Sequence, residues 1–397
     1  MLDEVIQLDK KYYLNTFGDR LPVCFEKGEG MKLFDDKGNT YYDFLGGIAV
    51  NALGHGHKDF INALKNQLDK VVHTSSIYYI ENQAKLAQKL VENTCAEKAF
   101  FANSGAEANE GAFKLAKIYY YKKGLDKYEI ITLDKSFHGR TLATVAATGQ
   151  EKYQKPYRPL TPGFKQVEPN NFKAIEDAVT DKTAAIMIEL IQGESGVHPM
   201  DKEYVEKLRK LCDEKDIILI FDEVQTGMGR TGYLFAHQMY GVEPDIFTSA
   251  KALGGGIPIG AVCAGKKVAS AFEPGDHGTT FGGNPFATAA GLAVFDIFEK
   301  EHLVENAGKM GKYFKEKLTE LQNKYSDKIT DVRNAGLLIG IQLEDSIAKT
   351  VFNKLFENKM LTSLCGGNTI RIAPPLIIKE TDIDLFINTL SSILEEI

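Results

Sequence analysis

The sequence predicts an α/β fold: a mostly parallel central sheet covered by helices, with a smaller α+β domain beside it. Between about 95 and 265, five apolar runs alternate with amphipathic stretches: Ala99–Phe101, Glu129–Leu133, Ala184–Ile188, Ile217–Phe221 and Ile246–Phe247. Continuous apolar strands separated by helices indicate a parallel sheet buried on both faces. Small or polar residues follow each run, as expected where ligands sit at the carboxyl ends of strands. From about 298 the texture changes, with charged amphipathic helices around Gly336–Leu343 and Thr369–Ile378. The expected division is an N-terminal segment, 1–60, belonging to the small domain, a large domain, 61–297, and a C-terminal small domain, 298–397.

Composition narrows the function. The chain has 397 residues, 44% hydrophobic and 25% charged, with a net charge of -7 and both signs interspersed. No basic stripe is present, so nucleic acid is not an expected partner. The 5 Cys are scattered without a CxxC pair, and the 8 His form no HExxH. Neither a disulfide framework nor a metal site is expected. There is no secretory signal and no bilayer-length apolar run, so no membrane partner and a cytoplasmic location are expected.

In chain order, residues 1–60 read as short strands and turns, with a hairpin over Leu33–Asp43 turning at Asp36-Lys37-Gly38. The dense small residues of Phe44–His57 suit close backbone packing or a ligand wall. Residues 58–92 read as helical, broken around Val72–Tyr79. Tyr78 and Tyr79 either line a pocket or pack.

The strand ends carry the chemistry. After the first run, Asn103-Ser104-Gly105-Ala106 opens a helix ending near Gly124. Free N–H groups and a positive dipole end there suit a phosphate, and Ser104 equally suits an ordinary N-cap. After the second run, Phe137 can stack on a planar ligand, and Arg140 can grip a carboxylate or make a surface ion pair. After the third, Glu189 and Glu194 are either solvated or site groups. Asp222 tips the fourth run, where a buried carboxylate needs a cationic partner. A protonated pyridine nitrogen would supply one and become an electron sink.

Lys251 follows the fifth run and precedes Gly254-Gly255-Gly256. Desolvation there would lower its pKa and free the amine. Such a lysine suits Schiff-base chemistry with an aldehyde, for which pyridoxal 5′-phosphate (PLP) is the common biological choice, whereas a solvated surface lysine suits none. Gly260–Lys266 matches a phosphate-binding P-loop until Lys267 stands where a hydroxyl is required. It leaves open a nucleotide-binding ATPase, and a non-catalytic binding protein is a second alternative. The Gly275–Pro285 loop offers Thr279 and Thr280 to phosphate, substrate or its own capping. Arg371 alternates with Ile370 and Ile372, so it faces solvent or an anion.

As an ordered set these signals resemble the fold-type I PLP enzymes, and within them the class III (omega) aminotransferases. The strings NSGAEANEGAFKLAK, SFHGRT, DEVQTGMGRTG, SAKALGGGIPIGA, TTFGGNP and IRIAPPL carry the resemblance, which spans essentially the whole chain. It implies PLP as cofactor, with Lys251 as Schiff-base lysine and proton shuttle and Asp222 on the pyridine nitrogen. It places Gln225 and Val224 near the ring, Phe137 stacked on it, and Ser104, Gly105 and Ala106 on the phosphate. Thr280 would reach the phosphate of a partner subunit, implying a homodimer. Arg140, Thr279, Arg371 and Glu194 would meet substrate, with Glu194 neutralising Arg371 in one half-reaction. Ala106 stands where many relatives have Thr, removing one hydroxyl from the phosphate site. Lys58 and Thr279 stand where Pro and Ser are common.

The opening, YLNTFGDRLPVCFEKGEG and GIAVNALGHGH, is similar to the acetylornithine aminotransferases of arginine biosynthesis. That resemblance implies transfer of the terminal amino group of N2-acetylornithine to 2-oxoglutarate, giving N-acetylglutamate 5-semialdehyde and glutamate. Aminotransferases acting on ornithine, succinyldiaminopimelate or 4-aminobutyrate share the same motifs and remain alternatives.

Overall fold

The computed structural model describes residues 1–397. It opens on a helix, Leu2–Tyr12, where the sequence reading has strands and turns. Asp3 and Glu4 in its first turn and Lys10 and Lys11 in its last complement the helix dipole, and none of its residues is buried. A helix that buries no face leaves little signal in an apolar pattern. Strands β1 (Phe25–Glu29), β2 (Lys32–Asp35) and β3 (Thr40–Asp43) follow as an antiparallel meander. The Asp35 carboxylate accepts from Lys37 N at 3.0 Å and Asn39 N at 2.8 Å, fixing the expected hairpin turn.

The central sheet comes next. Its members are β4 (Lys98–Ala102), β5 (Glu129–Leu133), β6 (Phe164–Val167) and β7 (Thr183–Ile188). A small hairpin, β8 (Ile191–Gln192) with β9 (His198–Pro199), stands outside it. The sheet resumes with β10 (Ile218–Asp222), β11 (Ile246–Ser249) and β12 (Gly260–Ala264). The order is β4-β12-β11-β10-β7-β5-β6, and only β12 runs against the rest. The five predicted runs are all strands. β6 and β12 were not predicted; β12 is built from small residues that read as loop.

Alternate side chains leave opposite faces of a strand. Ile218 and Ile220 of β10 therefore join one core cluster, with Ala112 and Phe113 of the helix Gly105–Lys122. Leu219 and Phe221 join the larger cluster on the other face. That cluster continues into the C-terminal sheet through Ile339 and Ile370, and onto the helix Glu380–Glu396 through Phe386.

The C-terminal strands are β13 (Ile329–Ala335), β14 (Leu338–Leu343), β15 (Met360–Leu361), β16 (Ser363–Cys365) and β17 (Thr369–Ile372). Four form an antiparallel sheet ordered β13-β14-β17-β16, while β15 pairs with β3 and ties the two ends of the chain together. We propose the division expected from the sequence, residues 61–297 against 1–60 with 298–397; its boundary falls in the last turn of a long helix, just before His302. His302 lies between the helices Pro285–Glu301 and Leu303–Lys324 with φ 52°, a left-handed break.

Candidate active site

The carboxyl ends of β4, β5, β7, β10 and β11 meet at a cavity of about 400 Å³. Ser104, Gly105, Ala106, Phe137, Arg140, Glu194, Asp222, Val224, Gln225 and Lys251 all line it, as the sequence reading grouped them. Arg371 reaches its edge through Glu194. Thr279 and Thr280 do not line it: the Thr279 hydroxyl accepts from Asn103 Nδ2 at 3.3 Å and Gly282 N at 3.1 Å, and Thr280 is exposed.

Lys251 begins a short 3-10 turn after β11 with φ 47°, a left-handed conformation that costs a non-glycine residue free energy. Its amine makes no ion pair and no hydrogen bond within the chain. Burial outweighs the nearby carboxylates and brings its pKa down to about 8. Because Lys251 also lines the cavity rather than the outer surface, the surface-lysine alternative is wrong. So is the P-loop reading, because Gly260–Ala264 is a strand paired on both sides and cannot cradle a phosphate.

Asp222 ends β10 and is buried. Its Oδ2 accepts from His138 Nδ1 and from Asn109 Nδ2, both at 2.8 Å, and its Oδ1 accepts from Val224 N at 3.0 Å. Asn109 is set in turn by Thr248, whose hydroxyl donates to its Oδ1 at 2.7 Å. Asn109 and His138 were missed as site residues. The available signal was Asn109 itself, a polar side chain amid the apolar face of a buried helix, which requires a partner.

The phosphate reading has a structural counterpart. Ser104 caps the helix Gly105–Lys122, its Oγ accepting from Glu107 N at 3.2 Å. The Gly105 and Ala106 amides have no acceptor in the chain, so they point free charge-complementary N–H groups at the cavity. A Cβ on Gly105 would lie 2.7 Å from Val224 Cγ1, so glycine is required for this approach.

Two arginines flank the cavity. Arg140 is exposed, with its guanidinium 3.7 Å from the Tyr153 ring centroid and 5.5 Å from that of Phe137. It has no carboxylate partner, so a substrate carboxylate would not have to displace one. Arg371 is buried, and its Nη1 meets Glu194 Oε1 at 2.5 Å. It also donates to Ser363 Oγ at 3.1 Å and, from Nη1, to Gln225 Oε1 at 3.3 Å. Burial alone would raise the Glu194 pKa, but the Arg371 charge and hydrogen bond more than reverse this and hold it below the usual range.

These residues fit PLP. The unspent amides and the Gly105 cradle suit its phosphate, the free Lys251 amine suits its aldehyde, and Asp222, braced by three donors, suits its pyridine nitrogen. Fold and site together define a PLP-dependent transaminase of fold type I. The family description "Aminotransferase class-III" matches residues 13–394, and the chain belongs to that family.

The chain is 51% identical over 393 residues to the acetylornithine aminotransferase of Methanocaldococcus jannaschii, covering 99% of this chain and 98% of that one. The crystal structure of acetylornithine aminotransferase from Elizabethkingia anophelis superposes with TM-score 0.88 at 34% identity, covering 100% of this chain and 99% of that one. An ornithine aminotransferase from Toxoplasma gondii, described with PLP partially occupying its active site, superposes with TM-score 0.93 at 30% identity, covering 99% and 94%. No helix of the chain is long and apolar enough to cross a membrane.

Proposed function

We propose that the chain transfers the terminal amino group of N2-acetylornithine to 2-oxoglutarate, in arginine biosynthesis in the cytoplasm. The observation that carries this reading is the buried Arg371–Glu194 pair beside the Lys251 cavity, with the unpaired Arg140 across from it. A transaminase with these two substrates has to accept an amine at a chain end, then a carbonyl next to a carboxylate. Glu194 masks Arg371 for the first and releases it for the second, while Arg140 holds the distant carboxylate of each. The identity to acetylornithine aminotransferases over nearly the full length supports the choice of donor.

PLP, when bound, supplies an aldehyde that takes up an amine and a ring that draws electrons from the attached carbon. The protein's residues do the rest. Gly105 and Ala106 would hold the phosphate with their free backbone N–H groups, beside Ser104. Asp222, oriented by His138 and Asn109, would pair with the pyridine nitrogen and keep it protonated. Phe137 would stack on the ring, and Val224 and Gln225, which also line the cavity, would lie near it. With a pKa of about 8, about a quarter of Lys251 is free amine at pH 7.5, against about a thousandth for an ordinary lysine. The same amine moves the proton at the substrate carbon, where a base poised near the working pH is most effective.

A homodimer completes the site. Thr280 is exposed on its own chain, and the loop beside it presents Phe281 at 61% exposure. In the dimer Thr280 reaches the phosphate bound to the partner subunit, and Thr279 neighbours its substrate.

The test is a comparison of kcat/KM for N2-acetylornithine, ornithine, N-succinyldiaminopimelate and 4-aminobutyrate, with 2-oxoglutarate as acceptor. A lead for acetylornithine is expected. A lead for any other donor overturns the substrate assignment and leaves the mechanism intact.

A further inference from the structure

One carboxylate in the cavity has no role in the account above. Glu189 follows β7 directly, is 5% exposed, and lines the cavity with Lys251 and Asp222. Its Oε2 accepts the Phe137 amide at 2.9 Å. Its other oxygen has no partner in the chain, yet is not sealed inside the protein, so it opens on the cavity. No cation lies within ion-pair distance of it. Arg371 is committed to Glu194, and Arg140 lies over Tyr153. Lys251 makes no ion pair with it, and the pull of its charge is weaker than the opposing effects of burial and the Asp222 charge. His138, on the same strand-end loop as Phe137, gives its Nδ1 to Asp222. The charges that do act on Glu189 are chiefly carboxylates, Asp222 before Glu194.

A buried carboxylate with one amide donor, no counterion and like-charged neighbours is expected to keep its proton. We propose that Glu189 works as a neutral carboxylic acid. One oxygen fixes the Phe137 backbone, and the O–H donates a hydrogen bond into the cavity, to an acceptor atom of the bound cofactor or substrate. Burial first, and then the Asp222 charge, push its acid well above the usual carboxylate range, in agreement with this geometry. The arrangement answers a conflict within the site. Asp222 has to remain an anion to hold a cation, and a second anion beside it would weaken that selectivity and repel substrate carboxylates. A neutral acid supplies a donor at that place without adding charge. Glu189 is thereby a positioning residue for Phe137 and a direct contact for the cavity's contents, a role resting on the PLP-transaminase reading of this site.

Two measurements test it. In an infrared difference spectrum of the holoenzyme, wild type minus Glu189→Gln at pH 7.5, the carbonyl stretch of a protonated carboxyl is expected. Carboxylate bands in its place overturn the proposal. That spectrum does not depend on which amine the enzyme uses, so its failure is separate from failure of the substrate assignment. In the second measurement Glu189→Gln, which still accepts from Phe137 N and still donates, is expected to keep kcat and PLP affinity within about threefold, the effect of exchanging one neutral donor for another. Glu189→Ala is expected to weaken PLP binding about tenfold, since the Phe137 amide is left buried without its acceptor. If Gln is as damaging as Ala, the side chain acts as an anion and the proposal fails.

Discussion

Replacing Glu194 by Ala isolates the switch proposed for the two half-reactions. The Arg371 guanidinium has side-chain exposure of 3%, while Glu194 has 26%. Breaking a fully buried ion pair costs about 3–5 kcal/mol, because one charge is left uncompensated. The effect here is smaller. Glu194 is partly solvated, and Arg371 keeps three neutral acceptors: Ser363 Oγ, Gly193 O and Gln225 Oε1. About 2 kcal/mol is a reasonable remainder, or about 30-fold at 25 °C. The exposed positive charge then favours a dicarboxylate and opposes a terminal amine. Stopped-flow rates of the two half-reactions, measured separately, give the ratio of kcat/KM for acetylornithine to that for 2-oxoglutarate. That ratio is expected to fall about 30-fold in Glu194→Ala, with the loss on the amine side and a lower KM on the oxo-acid side. An unchanged ratio, or equal losses on both sides, would refute the masking role of Glu194.

Two further outcomes follow from the same geometry. Gly105→Ala places a methyl 2.7 Å from Val224 Cγ1, so Val224 or the helix start has to move. Overpacking of this kind costs about 1–3 kcal/mol, and fluorescence titration of the apoprotein should show PLP binding weakened about tenfold or more, whereas an unchanged Kd would mean the cradle is not the phosphate site. The Lys251 amine, with its pKa brought down to about 8 by burial, reacts only when neutral. The rate of holoenzyme formation from apoprotein and PLP should therefore rise with pH and level off just above 8. A rate still climbing towards pH 10 would show an ordinary, solvated lysine.

Most of this site is legible in the sequence because strand ends in a parallel sheet project loops to one edge. Asp222 directly follows its apolar run, and Lys251, Phe137, Arg140 and the Ser104–Ala106 turn lie in the loops that follow the others, so locating the runs locates the cavity. Arg371 is different. Its alternation with Ile370 and Ile372 left its partner open, since nothing local says that β17 of the second sheet faces the loop carrying Glu194. Asn109 and His138 were missed because they touch Asp222 from elements 113 and 84 residues away in the chain. β12 was missed because Gly260, Ala261 and Ala264 carry no strand pattern of their own; pairing with β4 and β11 makes the strand. The N-terminal helix was missed because it buries none of its residues within the chain. Thr279 and Thr280 were grouped with the site by their motif, yet neither lines the Lys251 cavity.

The account rests on Lys251 as the residue that carries the cofactor, and one chemical trap tests this directly. Borohydride reduction of the holoenzyme, followed by digestion and mass mapping, fixes the cofactor to the amine that holds it. The expected product is a single modified peptide whose pyridoxyl group sits on Lys251. A label on any other lysine, or none on a protein that still turns over, would contradict the account.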